Sequence, residues 1–259
     1  MSAYYSSYDE DVRLASKHGQ VEYLTTMRYI ARYLKPEIRI LEVGTGTGRY
    51  AHALARLGYT VDAVELIPHN IEIFKINTRP EERVSIRQGN ALDLAGLEDG
   101  AYDMTLVLGP MYHLYAMDDQ MKALSEALRV TKQGGIVFVA YCISDAWIIG
   151  SGFKAGNAMA LVEAGRLDPA TFQAFSTPAE VFHRCRKEDI DALMAYFPVT
   201  RLHYVAADLM ANHMRETVDA MDDSMFELYV KYHFAICERP DMVGLTHHSL
   251  DIFKKGVIE

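Results

Sequence analysis

Cysteine is scarce in this 259-residue chain: Cys142, Cys185 and Cys237 are widely separated, odd in number and form no C-x-x-C. Such a set excludes a disulfide framework and a cysteine-built zinc site, and it predicts a reducing, cytoplasmic setting. No eighteen apolar residues run without interruption, so no membrane span is expected. The opening residues, with Tyr4, Tyr5 and Tyr8, lack the basic and apolar regions of an export signal. Long basic runs are missing as well. The densest, Arg184 to Lys187, is followed at once by Glu188, Asp189 and Asp191, and 35 acidic residues outweigh 26 basic ones. A net charge of −9 repels phosphate backbones, so no nucleic-acid partner is expected.

What is present is apolar and periodic. Half of the residues are hydrophobic, enough for one large core with elaborations on it. The most informative stretch runs from Ile38 to Arg49: an apolar strand ends at Glu42 and Val43, then Gly44, Gly46 and Gly48 alternate before a helical pattern. Glycine permits positive φ and has no Cβ to hold a ligand off, so this turn offers bare backbone to a small molecule. A dinucleotide fingerprint needs G-x-G-x-x-G, and here its third site is Arg49. Residues 60–64 form a second apolar strand ending at Glu65, where a carboxylate can accept from both hydroxyls of a ribose.

The rest of the pattern alternates strands and helices, which predicts an α/β fold with a parallel sheet. Strands are expected at 38–43, 60–65, 84–87, 102–108, 136–142, 199–206 and 249–253. Helices are expected at 49–57, from Pro68, and at 118–130, the last closed by Gly134 and Gly135. Residues 1–35 read as an N-terminal helical extension whose apolar face includes Val21, Leu24, Met27 and Ile30 and which stops before Pro36. Two helical elaborations are expected, at about 144–190 and 207–245. In the first, Thr177, Pro178 and Glu180 have the order of a capping box at a helix start.

The Glu42-x-Gly44-x-Gly46-x-Gly48 motif, with Glu65 ending the next strand, resembles that of the class I S-adenosylmethionine-dependent methyltransferases, and the resemblance covers roughly residues 36–142. It implies a three-layer, Rossmann-like sheet of seven mostly parallel strands, helices on both faces, and the last strand antiparallel between the fifth and sixth. The implied division is a 1–35 extension or lid and a 36–259 methyltransferase domain. The implied cofactor is S-adenosylmethionine, leaving as S-adenosylhomocysteine. Its contacts would be Glu42, Gly44, Thr45, Gly46 and Gly48 on the methionine side, Glu65 on the ribose, Leu66 beside the adenine, Asn90 and Ala91 at the adenine edge, and Leu108. The elaborations would lie over the carboxyl ends of the strands, where ligands bind in open α/β sheets, and would shape an acceptor pocket.

The fourth strand leads into Gly109, Pro110, Met111, Tyr112 and His113. Enzymes of the family that methylate nucleobase amines carry D/N-P-P-Y/F here, and this chain keeps only Pro110 and Tyr112. A small-molecule acceptor with an oxygen or nitrogen nucleophile is therefore expected. His113 is the candidate base for a hydroxyl and Tyr112 a candidate aromatic wall. Residues 108–113 contain no carboxylate, and His203, His247 and His248 show no coherent ligand spacing, so no metal is expected. Tyr8, Arg13 and His18 are candidate lid or acceptor residues. A monomer or a homodimer is compatible with the pattern. The competing readings are a protein or RNA acceptor, an NAD-dependent oxidoreductase, and a non-catalytic nucleoside-binding module.

Overall fold

The structure is a computed structural model that describes residues 16–256. Its sheet is built by β1 (Arg39–Val43), β2 (Thr60–Glu65), β3 (Val84–Gln88), β4 (Tyr102–Val107), β5 (Thr131–Cys142), β6 (Val199–Ala206) and β7 (His248–Lys255). Their order across the sheet is β3-β2-β1-β4-β5-β7-β6, and β7 runs antiparallel to both of its neighbours. The chain winds outward one way from β1 and the other way from β4, so the topological switch lies between these two strands. Val64, Val43, Val107 and Val139 stand in one row across β2, β1, β4 and β5. Glu65, Gly44 and Leu108 each follow that row by one residue, which brings the expected cofactor groups to a level edge.

Parallel strands covered on both faces need side chains that are apolar on both. Alternate residues of β5 accordingly feed opposite cores: Phe138 and Ala140 join Ile40, Leu54, Phe74 and Met104, while Val137 and Val139 join Leu124, Leu128, Ile190 and Leu193. Helix α1 (Lys17–Ala31), capped by the Ser16 hydroxyl, puts Tyr29 and Ile30 into the first of these cores. The same face of the sheet receives α2 (Arg49–Arg56) and α3 (Pro68–Asn77) through Leu54 and Phe74; α4 (Met117–Val130) supplies Leu124 and Leu128 to the other. No helix among the described residues is long and apolar enough to cross a membrane.

Three local expectations are corrected. Helix α4 ends at Val130 and runs straight into β5, with the Thr131 hydroxyl donating to the Ala127 carbonyl at 2.6 Å. Gly134 and Gly135 sit instead in a bulge: Tyr102 pairs with Thr131 but Met104 with Ile136, and a Cβ on Gly135 would come within 2.6 Å of the Thr131 side chain. The first elaboration is helical only in part. It comprises α5 (Ser144–Trp147), a π-helical turn (Ile148–Lys154), α6 (Ala158–Glu163) and α7 (Lys187–Met194), with irregular chain over 164–186. Thr177 and Glu180 close a turn there rather than a helix: the Glu180 N–H donates to the Thr177 carbonyl at 2.9 Å and the Thr177 N–H to the Glu180 carboxylate at 3.4 Å, a carboxylate that also pairs with Arg166 and Arg184. The second elaboration is broken into α8 (Arg215–Asp219) and α9 (Asp223–Ile236), the latter restarted by the Asp222 side chain on the Met225 N–H.

Candidate active site

The loop after β1 is held by its backbone: the Gly44 and Thr45 N–H groups both donate to the Val64 carbonyl, at 2.8 and 3.2 Å. Gly44, Gly46 and Gly48 all have positive φ, yet their surroundings differ. A Cβ on Gly44 would lie 2.7 Å from the Pro110 ring, and one on Gly48 2.4 Å from Phe74. One on Gly46 would meet nothing within 4 Å. Gly44 and Gly48 are thus glycines for packing, and Gly46 is the point where bare backbone faces open space.

Two acids support this loop. Glu42 is buried beneath it, accepting from the Thr45 hydroxyl at 2.8 Å. Burial pushes its carboxyl up to about 8, against the opposing hydrogen bonds from Thr45 and the Ala51 N–H. Glu65 stands at the end of β2 with one oxygen accepting from the Gly46 N–H at 2.8 Å. Its other oxygen accepts from the Ile67 N–H at 2.9 Å and the Asn70 amide at 3.3 Å. Glu65 therefore faces the glycine loop, while Glu42 shapes that loop from below.

Leu66, next in the chain, is 42% exposed. Beyond β3, the Asn90 side-chain oxygen accepts from the Leu92 N–H at 3.0 Å, and Asp93 caps the following turn on the Ala95 N–H at 3.0 Å. The amide oxygen of Asn90 is thus committed to its own turn, and its NH₂ group is what it presents. Ala91 packs beside it against Leu94 and Leu97, and Leu108 is half-buried at the end of β4.

The chain then tightens into a 3₁₀ turn, Pro110–His113. His113 Nδ1 lies 2.8 Å from the Val181 carbonyl, an acceptor only, so Nδ1 carries the proton and Nε2 is the basic nitrogen. Burial lowers the His113 pKa, partly offset by that hydrogen bond. The irregular segment around Val181 forms the opposite wall, where the His183 N–H donates to the Tyr112 carbonyl and the Tyr115 hydroxyl to the Glu180 carbonyl. Phe182 lies 5.7 Å from the His113 ring and 6.3 Å from Tyr112, and His248 lies 5.8 Å from Tyr112.

His248 brings charge to this wall. Its Nδ1 is 2.8 Å from Asp208 and 3.3 Å from Glu22 of α1. Burial alone would lower the His248 pKa, but the two carboxylates hold it well above its ordinary value. Burial alone would raise Asp208, and His248 with the Thr246 hydroxyl holds it far below the carboxylate range. Glu22, Asp208 and His248 have the ligand types of a metal centre, with their ligand atoms within 4.8 Å of one another, a grouping that the spacing of His203, His247 and His248 in the sequence did not suggest. His18 is tied elsewhere, with Nδ1 2.7 Å from Asp219 of α8. Tyr8 and Arg13 lie outside the described residues. Phe182, Asp208 and Glu22 are not visible from sequence because 69 to 96 residues separate each from Tyr112 or His113 and none carries a motif.

Residues 41–139 match a family model described as a methyltransferase domain. The ubiquinone biosynthesis O-methyltransferase of Xanthomonas campestris is 28% identical over 111 residues, 42% of this chain and 45% of that protein. The protein of the same name from Methylocella silvestris is 31% identical over 128 residues, 49% and 48% of the two chains. The matched region thus spans about half the length of these curated relatives. Among solved structures, a SAM-dependent methyltransferase from Methanosarcina mazei superimposes with a TM-score of 0.60 at 15% identity, over 88% of this chain and 97% of that one. Phosphoethanolamine N-methyltransferase 1 of Haemonchus contortus, solved with phosphoethanolamine and S-adenosylhomocysteine, gives 0.60 at 14% identity, over 99% and 47%. The domain match over residues 41–139, the sheet order with its antiparallel seventh strand, and the glycine loop facing Glu65 agree: this stretch is similar to a methyltransferase domain, and the fold is the Rossmann-like one of solved S-adenosylmethionine-dependent methyltransferases.

Proposed function

We propose that this protein transfers the methyl group of S-adenosylmethionine to a small-molecule acceptor, with a hydroxyl oxygen favoured over nitrogen. The observation that carries this reading is the apposition, across the switch between β1 and β4, of the open Gly46 backbone and Glu65 with a histidine whose tautomer is set for base catalysis. The names of the O-methyltransferase relatives support an oxygen acceptor. When bound, the cofactor supplies an electrophilic methyl group on a sulfonium.

The remaining work falls to the chain. Glu65 accepts from the ribose hydroxyls through lone pairs left over from Gly46 and Ile67, and Gly46 gives the methionine part room. Leu66, Ala91 and Leu108 flank the base, and the Asn90 amide donates to one of its ring nitrogens. Tyr112 and Phe182 exclude water and align the acceptor, which is where most of the rate enhancement of an in-line displacement arises. As the oxygen–carbon bond forms and the carbon–sulfur bond breaks, the hydroxyl proton passes to His113 Nε2. No step requires a metal. The same reading places the protein in the cytoplasm, as a monomer or homodimer without a nucleic-acid partner. Titration calorimetry tests the donor assignment: S-adenosylhomocysteine is expected to bind one to one and NAD not at all, and the reverse result removes the proposal.

A further inference from the structure

Beside α2 lies a second hollow, a groove of about 430 Å³ whose wall includes Thr47, Arg49, His52, Arg56, Asn77 and Arg79. In a chain of net charge −9, three arginines converge here, Arg49 and Arg56 from the two ends of α2 and Arg79 from the loop after α3, and no carboxylate lines the groove among the described residues. The adjoining acid, Glu82, has its side chain wholly buried. It accepts from Arg56 Nε at 2.7 Å, from the Arg79 N–H at 3.2 Å and from His52 Nδ1 at 2.6 Å. Glu82 thus fixes the walls and leaves the groove itself positive.

His52 is the telling residue. Its ring lies 4.4 Å from Phe74, and a Cβ on Gly48 would come within 2.7 Å of it, so it has one seat. Nδ1 is committed to an ionised carboxylate and must carry a proton, whereas Nε2 is buried and has no partner among the described residues. A buried nitrogen without a partner is costly, and Glu82 is placed to stabilise the imidazolium that would donate from Nε2 to an anion. Arg49, stacked 4.6 Å above the Tyr23 ring, adds a guanidinium held in place, and the exposed Arg79 closes the rim.

We propose that this groove is a binding site for a small phosphomonoester, with His52, Arg49, Arg56 and Arg79 gripping the phosphate. Planar guanidinium groups and an imidazolium match phosphate oxygens, and the volume exceeds that of inorganic phosphate, leaving room for a small organic moiety. The inference is independent of methyl transfer.

The test is titration of the full chain with inorganic phosphate, glycerol 3-phosphate and, at matched ionic strength, chloride, followed by calorimetry and by the His52 imidazole resonances. Saturable one-to-one binding is expected, tighter for the ester than for inorganic phosphate and absent for chloride, with the His52 resonances moving toward the protonated form. Arg79→Gln, on an exposed side chain, should weaken it by about tenfold or more and leave S-adenosylhomocysteine binding unchanged. Arg56→Gln provides a second variant. Binding that ignores both substitutions, or no saturable binding in the millimolar range, overturns the proposal, and so does tighter capture of an RNA oligonucleotide through the same residues.

Discussion

The two sides of the cleft are built in different ways. On the donor side, Glu42, Thr45, Gly46, Glu65 and Asn70 interact within 30 residues of chain, mostly through hydrogen bonds that one strand–loop–helix unit makes to the next. On the acceptor side, His113 meets Val181, and His248 meets both Asp208 and Glu22, across separations of 40 to 226 residues. Donor geometry is therefore a local property of βαβ winding. Acceptor geometry is a property of the whole fold, and each of its polar contacts depends on segments that are far apart until the sheet is complete.

Substitutions that strike one side alone sharpen this contrast. His113→Ala should cut kcat by roughly a hundredfold to ten-thousandfold with little change in S-adenosylhomocysteine affinity. Because burial lowers its pKa, the acidic limb of the kcat profile should lie below the ordinary histidine value of about 6.5. An unchanged limb in the variant would remove the base. Next comes Asp208→Ala. It removes the nearer carboxylate from the buried His248, one of the two acceptors of the Thr246 hydroxyl and the acceptor of the His247 N–H, and should cost about 3–5 kcal/mol in urea unfolding. A loss confined to cofactor affinity would break the comparison.

Glu65→Ala acts on the other side. It should weaken S-adenosylhomocysteine by roughly 1.5–3 kcal/mol, since hydrogen bonds to a charged group are worth that much, without altering the KM for acceptor. Unchanged affinity in calorimetry would mean that the ribose lies elsewhere. The last effect is one of slope. Glu42 has a native pKa raised to about 8, so it binds a proton more tightly when folded. Its contribution is complete below about pH 4.5 and is lost as pH rises through about 8, at up to about 1.4 kcal/mol per pH unit. Glu42→Gln should flatten that limb of the stability profile.

The same contrast explains what could be read from the residues alone. The residue pattern located all seven strands, the buried parallel ones through continuous apolar runs and the edge strand β6, to the residue, through its alternation. Gly46 and Glu65 were legible since a local motif encodes them, although Gly44 and Gly48 prove to answer to Pro110 and Phe74. Local signals misled where tertiary contacts compete for the same groups. The Thr177–Glu180 box forms its local turn, but no helix follows it and its carboxylate serves Arg166 and Arg184 as well, and the glycine pair at 134–135 serves a bulge. Phe182 and the Glu22–His248–Asp208 group left no trace in spacing. Likewise, Arg49 and Arg56 of α2 meet Arg79, which follows α3, only once the fold brings the two segments together.

The placement of β7 carries a last consequence, for the order of assembly. In the sheet β6 bonds only to β7, and β7 fills the space between β5 and β6. During synthesis a nascent chain can complete the nucleoside-binding unit while β5 still shows a naked edge and β6 has no neighbour to zip onto. That edge is a template for wrong pairings until β7 closes it, so the interval before residue 248 leaves the ribosome is the one in which a chaperone would matter most.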